Sequence, residues 1–332
     1  MVKREETPTA RAKELIVSSK HILLSLHRHP DGDSIASCLA LYHYLKSLDK
    51  KVTVISPTEV KENYDFLPGY DKIKAGEFFD FKPAEFDLFI IPDSSSWGML
   101  SDDEISPEHQ RDWHTIGIDH HKTNLRFADI NLVDEKSSSA CEVLYDLFQA
   151  WGVTLNSDLA LCLLTGMVTD TGGFHYPNTS AQTLKKASDL ITKGADLRLV
   201  MFNFLRRVKI SELHYWEPAL RNLEIDKSGR YARIILSSAD LKKIEGDRSY
   251  RESAAGLFLQ IIDGTEFGYI LTEDESGLIR GSLRARTDFD VSLIAVALDG
   301  GGHQGAAGFV LRDMTLNEAK EKIEKVIRKI LS

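Results

Sequence analysis

Ile22-Leu23-Leu24-Ser25-Leu26 runs directly into His27-Arg28-His29-Pro30-Asp31-Gly32-Asp33, and this stretch decides how the N-terminal half is read. A short apolar run bounded by Pro, Asp and Gly reads as a buried strand ending in a tight turn. Two later runs have the same form. Leu88-Phe89-Ile90-Ile91 ends in Pro92-Asp93-Ser94-Ser95, and Thr115-Ile116-Gly117-Ile118 ends in Asp119-His120-His121. Asp170 follows an apolar, helix-like stretch in Val168-Thr169-Asp170-Thr171-Gly172-Gly173. Ligands of open α/β sheets gather outside the carboxyl ends of the strands. Carboxylates and imidazoles far apart in sequence can meet there and form a site for two divalent metals.

The surrounding pattern supports such a sheet. Residues 8–20 and 36–48 read as helices, and Lys51-Val52-Thr53-Val54-Ile55 reads as the next strand. Strands alternating with helices imply an α/β fold with a doubly wound, mainly parallel sheet. Helices are predicted at 139–151, with Ser139 and Glu142 as a capping box, and at 157–169 and 180–193. The helical, mixed-charge stretch from 194 to 216 reads as a connection. Beyond it the rhythm changes, with strand-like runs at 231–236, 266–272 and 278–285 and helices at 238–244, 250–262 and 290–298. A closing helix carries Leu316, Ala319, Ile323, Val326, Ile327 and Ile330 on one stripe, with Thr315 and Glu318 as a second capping box. The expected organisation is a catalytic domain over 1–194, a helical linker over 195–216 and a smaller α+β substrate-binding domain over 217–332.

Composition narrows the class. A chain of 332 residues with 42% hydrophobic and 27% charged residues is an ordinary globular protein of about two domains. A net charge of −9 argues against a long, non-specific nucleic-acid grip, which needs a broad basic surface. It leaves room for a small phosphorylated substrate, because two bound dications would reverse the local potential. Cys38, Cys141 and Cys162 lack metal-type spacing and read as buried thiols in a reducing compartment. The opening Met1-Val2-Lys3-Arg4-Glu5-Glu6 has no apolar signal region, and no run approaches the roughly 20 apolar residues of a membrane span. A cytoplasmic location is expected, without membrane association.

Each cluster alone has an ordinary reading. Pro30-Asp31-Gly32 can be a plain turn, Asp93 and Asp119 can cap helices, and Asp170 before two glycines says little by itself. Together they point to metal binding. Hard oxygen donors mixed with imidazole suit Mn²⁺, with Mg²⁺ or Co²⁺ as the alternatives, and two such ions suit in-line displacement at phosphorus. Downstream, Gly300-Gly301-Gly302-His303-Gln304-Gly305-Ala306-Ala307-Gly308 matches G-x-G-x-x-G. It follows a helix-like stretch near the C-terminus, so a dinucleotide fold is rejected. It reads instead as a glycine-rich loop whose backbone N–H groups, with His303, receive an anion. Arg280, Arg284 and Arg286 alternate on a predicted strand and would share one face. Phe174-His175-Tyr176, just after Asp170, offers aromatic rings for base stacking, against the ordinary reading of packing.

These motifs resemble those of the DHH phosphoesterases with a C-terminal DHHA1 domain. His27-x-x-Pro30-Asp31-Gly32-Asp33, Asp93, Asp119-His120-His121 and Asp170 look like the four DHH motifs, and the Gly-Gly-Gly-His segment with Ala306-Ala307-Gly308 looks like the DHHA1 hallmark. The likeness is strongest to stand-alone nanoRNase and pAp-phosphatase proteins, which include cyclic di-AMP and pApA phosphodiesterases. The resemblance implies that His27 and Asp31 hold one metal and that Asp33, His120 and Asp170 hold the other, with Asp93 bridging them. It implies that Asp119 orients its neighbour, that His121 contacts the scissile phosphate, and that Arg284, Gly301, Gly302 and His303 anchor the far phosphate or terminal nucleotide. The expected activity is two-metal hydrolysis of short oligonucleotides and dinucleotides such as pApA, nanoRNA and cyclic di-AMP to nucleoside 5′-monophosphates, in a cleft between the domains. The alternatives are a pAp 3′-phosphatase and a non-catalytic nucleotide sensor. The expected partners are short nucleotides and no long nucleic acid, with homodimerisation left open. Three departures stand out: Ala36-Ser37 replaces the usual Gly-Ser, an arginine common after the second motif is missing near Trp97-Gly98, and Arg284-Ala285 replaces Arg-Ser.

Overall fold

The computed structural model of the protein describes residues 7–110, 112–205, 207–241, 248–273 and 277–331. The reading of residues 1–6 and the end of the helix expected over 238–244 lie outside them. The chain divides into two compact units, Met1–Arg207 and Val208–Ser332.

The first unit is built on six parallel strands, β1 (His21–Ser25), β2 (Lys51–Ser56), β3 (Ile73–Ala75), β4 (Leu88–Pro92), β5 (Thr115–Asp119) and β6 (Ile130–Val133), in the order β3-β2-β1-β4-β5-β6. The expected parallel α/β sheet is present, with a doubly wound strand order. Its topological switch point lies between β1 and β4, the position where open sheets form a crevice at their carboxyl edge. Successive strand residues serve opposite faces. Ile22, Leu24, Leu88 and Ile90 enter a core with helices α1 (Pro8–Ser18), α2 (Gly32–Ser47), α3 (Ala140–Trp151), α4 (Ser157–Asp170), α5 (Ala181–Thr192) and α6 (Leu197–Leu205). Leu23, Phe89 and Ile91 face a smaller core with Phe78, Leu100 and Trp113. Aromatic bulk on short connectors covers that face in place of helices, and Trp97 packs there against Phe78, Phe89 and Phe127.

The turn expected at Pro30-Asp31-Gly32 is the start of α2. Asp31 is its N-cap, accepting from Asp33 N and Ser34 N at 3.0 Å each, so Asp33 sits in the first helical turn. Gly32 permits this close start, since a Cβ there would collide with Thr169 of α4. The capping box expected at Ser139 is half formed. Ser139 accepts from Glu142 N at 3.0 Å, but the Glu142 carboxylate goes to Ser138 N and Oγ instead of Ser139 N. The three cysteines are free and buried.

The second unit contains α7 (Ile210–Arg221), β7 (Leu223–Ile225), β8 (Tyr231–Leu236), α8 (Ser238–Leu241), α9 (Arg248–Phe258), β9 (Phe267–Glu273), β10 (Ile279–Ala285), α10 (Ser292–Val296), β11 (Gly301–His303), β12 (Ala306–Leu311) and α11 (Leu316–Leu331). Its sheet runs β11-β12-β10-β9-β8-β7, parallel only between β8 and β9. One face packs on α10 and α11, the other on α7 and α9. The unit is therefore three-layered, with α9, α10 and α11 falling where helices were expected and α7 adding to one face. The box at α11 is complete: Thr315 N donates to Glu318 Oε2 at 2.7 Å and Glu318 N to Thr315 Oγ1 at 3.3 Å. The stretch expected as a linker contains α6, which falls to the first unit, and the start of α7, which falls to the second.

Candidate metal centre and anion-binding row

The carboxyl ends of β1, β4 and β5 bring the strand-end clusters together. After β1, His27 Nδ1 pairs with the Arg28 carbonyl at 2.8 Å, which turns Nε2 toward Asp31 Oδ1 at 3.7 Å and Asp93 Oδ2 at 3.5 Å. Asp93 ends β4 in the left-handed region (φ 52), its N–H donating to Ile118 O at 2.8 Å. Aspartate tolerates this conformation better than most residues, and such strain gathers at functional sites. After β5, Asp119 is fully buried. It accepts from His120 N at 2.8 Å, His121 Nδ1 at 2.7 Å and Asn124 Nδ2 at 2.6 Å. His120 Nε2 lies 3.6 Å from Asp93 Oδ1 and 3.6 Å from Asp170 Oδ2.

Two groups emerge that share Asp93: His27, Asp31 and Asp93, and Asp93, Asp119, His120 and His121. Asp170 reaches the second through His120. Asp33 stands apart, because its oxygens accept Ala140 N at 2.6 Å and Cys141 N at 3.1 Å from the start of α3. It still acts on Asp93 and Asp170 through charge.

The residues fit divalent cations. Asp93 Oδ1 and His120 Nε2 are buried without a hydrogen-bond partner. Donors on one ion, each bonded at about 2.1 Å, lie roughly 3.0–3.6 Å apart, and the imidazole-to-carboxylate separations from His27 Nε2 to Asp93 and from His120 Nε2 to Asp93 and Asp170, 3.5–3.6 Å, match that spacing. Burial, reinforced by neighbouring carboxylates, pushes Asp33 and Asp93 up to about 6 and Asp170 up to about 9. Asp170 also ends α4, where the helix dipole disfavours a negative charge. Cations would relieve all three. Burial lowers His120 and keeps it neutral, as a ligand must be. The hydrogen bond to Asp119 instead raises His121 to about 9 in the metal-free protein.

Several supporting residues carry no motif signal of their own. Asn124 holds Asp119 and also donates to Ser94 O at 3.1 Å. Ser34 Oγ accepts from His27 N at 3.1 Å. Buried Glu142 accepts from Ser138, Thr183 Oγ1 (2.9 Å) and Lys186 Nζ (2.9 Å), tying the start of α3 to α5. Only the capping pattern at Ser139 drew attention to it. Burial works against the Glu142 charge, but these partners outweigh it and lower its pKa below 4.5. Its contribution is therefore complete above the unfolded value and lost as pH falls through the folded one. Glu142→Gln is expected to cost about 2–3 kcal/mol at pH 7 in denaturant titrations, with the gap from the native protein narrowing as pH falls through the lowered folded-state value.

In the second unit the glycine-rich segment is an edge strand, contrary to the loop expected. Gly301, Gly302 and His303 pair with Gly308, Ala307 and Ala306. The small residues permit this hairpin, since a Cβ on Gly302 would collide with the Ala306–Ala307 backbone. Arg284 pairs with Ala306 in turn. Directly paired residues share a face, so Arg284, Ala306 and His303 form one row across three strands. Arg286 does not join them. It lies past the end of β10, donating to Thr265 O at 3.2 Å and Asp263 at 3.3 Å. Ala285 points into the opposite, buried face, so the hydroxyl absent there lies away from Arg284.

Residues 21–167 match the DHH family, N-terminal domain, and residues 245–331 match the DHHA1 domain. The chain belongs to the DHH/DHHA1 family. It is 28% identical over 315 residues to the bifunctional oligoribonuclease and PAP phosphatase NrnA of Thermus thermophilus, covering 94% of this chain and 90% of that one. It is 24% identical to the cyclic-di-AMP phosphodiesterase GdpP of Geobacillus thermodenitrificans, covering 95% of this chain and 48% of that longer protein. Among solved structures, an exopolyphosphatase-related protein from Bacteroides fragilis superimposes with a TM-score of 0.88 at 27% identity, covering 97% and 96% of the two chains. Among the described residues, no helix is long and apolar enough to cross a membrane.

Proposed function

We propose that this protein is a phosphodiesterase dependent on two divalent ions, Mn²⁺ by the donor set, that hydrolyses short oligonucleotides and dinucleotides such as pApA to nucleoside 5′-monophosphates. The observation that carries this reading is Asp93, whose two oxygens face two different histidines, His27 and His120, at 3.5 and 3.6 Å. That arrangement supports a bridging role for this carboxylate. His27 and Asp31 would hold one ion, Asp33, His120 and Asp170 the other. When bound, the ions supply Lewis-acid charge and an activated water for displacement at phosphorus. Asp119 fixes the His121 ring through Nδ1, leaving Nε2 to donate to a phosphoryl oxygen and offset charge developing there. The names of the relatives support the substrate class.

Arg284, His303 and the Gly301–Gly302 backbone would bind the substrate's far phosphate or terminal nucleotide. Arg284→Ala is then expected to raise KM for pApA about ten-fold or more, with kcat changing less. An equal loss on bis(p-nitrophenyl) phosphate would count against the anchoring role. The reading as a whole is tested by chromatography of products from pApA, cyclic di-AMP, a short RNA and pAp with added Mn²⁺. Release of AMP from pApA supports it. Turnover of pAp alone would favour the 3′-phosphatase, and tight pApA binding without turnover would favour a sensor.

A further inference from the structure

Phe174-His175-Tyr176 follows Asp170 and has no part in the reading above. α4 closes in a Schellman motif, with Gly173 N donating to Val168 O at 2.7 Å and Gly172 N to Thr169 O at 3.2 Å. Gly172 takes the left-handed conformation (φ 60) that this ending needs. It also leaves space that Tyr176 fills. A Cβ on Gly172 would come within 2.5–2.7 Å of Cζ and both Cε atoms of the Tyr176 ring, so the ring lies directly against the glycine.

The segment around that ring is pinned. His175 N and Tyr176 N both donate to Thr171 O at 2.9 Å, Phe174 N donates to Thr171 Oγ1 at 2.9 Å, and Thr179 N donates to Tyr176 O at 3.0 Å. The Asn178 amide joins it to the metal centre's own backbone, donating to Asp170 O and Ser138 O at 3.1 Å each. Tyr176 nonetheless remains 46% exposed. Its ring is backed by Gly172 while the residue stays open to solvent. Gly172 is two residues beyond Asp170, the last residue of α4, so the ring is seated beside the helix end that carries Asp170.

We propose that Tyr176 is the stacking platform for the nucleobase of the nucleotide whose phosphate lies at Asp93, His120 and Asp170. The inference rests on the phosphodiesterase reading. Stacking suits a substrate class defined by size, because every base presents a π face and no edge pattern is read. A preset ring also costs little conformational entropy on binding.

The test uses Tyr176→Ala, Tyr176→Leu and Tyr176→Phe in the full chain with Mn²⁺, assayed on pApA and on two pApA analogues, each abasic at one position. Leu keeps an apolar contact on Gly172 but has no π face, whereas Phe keeps the face. The Ala and Leu variants are expected to raise KM for pApA about ten-fold, with kcat within a few-fold and Phe close to the native protein. On one of the abasic analogues the native protein and the Ala variant should become equivalent. An unchanged KM for pApA in the Ala and Leu variants would overturn the proposal, as would the same loss on both abasic analogues. Absence of pApA hydrolysis by the native protein would instead overturn the parent reading.

Discussion

Asp93→Asn is expected to lower Mn²⁺-dependent hydrolysis of pApA by about 10³-fold or more, because one substitution weakens both ion positions at once. The exchange is nearly isosteric, and asparagine, like aspartate, accepts the left-handed backbone found here (φ 52). The fold should therefore survive. Asp93 is buried and crowded by Asp33 and Asp31, so removing its charge relieves repulsion in the metal-free protein. The variant should melt no lower than the native protein without metal. Metal that binds only the folded state raises its stability, so the native protein should gain thermal stability when Mn²⁺ is added and the variant should gain little. Thermal melts with and without Mn²⁺, beside the hydrolysis assay, measure both effects. Activity within ten-fold of native in a folded, Mn²⁺-saturated variant would remove Asp93 from the bridging position.

Gly166→Ala should destabilise the protein, although alanine inside a helix normally gains about 1 kcal/mol over glycine. Gly166 lies in the buried middle of α4, and a Cβ there would overlap Asp33 Oδ1 and Cys141 Sγ and sit 2.7 Å from Cys141 Cβ. Asp33 cannot easily give way, because Ala140 N and Cys141 N hold its oxygens. Overpacking of this kind costs about 1–3 kcal/mol. Here the strain falls on a carboxylate proposed to hold metal, so Mn²⁺ affinity should drop together with the denaturation midpoint. Gly256→Ala is the control. That glycine is also helical, in α9, but has nothing within 4 Å of its Cβ position, so alanine there should be neutral or stabilising. If both variants behave alike, the close approach of α4 to Asp33 has no energetic consequence.

The candidate metal-site residues were legible because strand ends are marked locally. An apolar run stops at Asp or His, and a parallel sheet carries every such end to one edge. His27, Asp31, Asp93 and His120 meet for that reason, and Asp170 joins them from the end of α4. Asp33 shows the limit of the pattern. Its spacing from His27 and Asp31 suggests an equal partner, yet its oxygens lie against the start of α3, more than a hundred residues later in the chain. Asn124 and Gly166 carry no local mark either, and Glu142 was marked only as a capping partner of Ser139, because their roles arise from packing between elements distant in sequence. The second unit shows the same division. The run Gly300 to Gly308 read as a glycine-rich, anion-receiving loop, and nothing in it disclosed the edge strand that aligns His303 with Arg284.

What the sequence by itself determined was the inventory: a parallel α/β sheet, a smaller mixed domain, and strand-end carboxylates and imidazoles suited to divalent metal. These follow from periodicity and residue chemistry, which act over a few residues at a time. What only the tertiary structure decided was the orientation of each group: which oxygen of Asp93 faces which histidine, that Asp119 is spent on His121 and Asn124, and that Tyr176 lies on Gly172. Orientation depends on where separate helices and strands come to rest against one another, and no short stretch of chain contains that information.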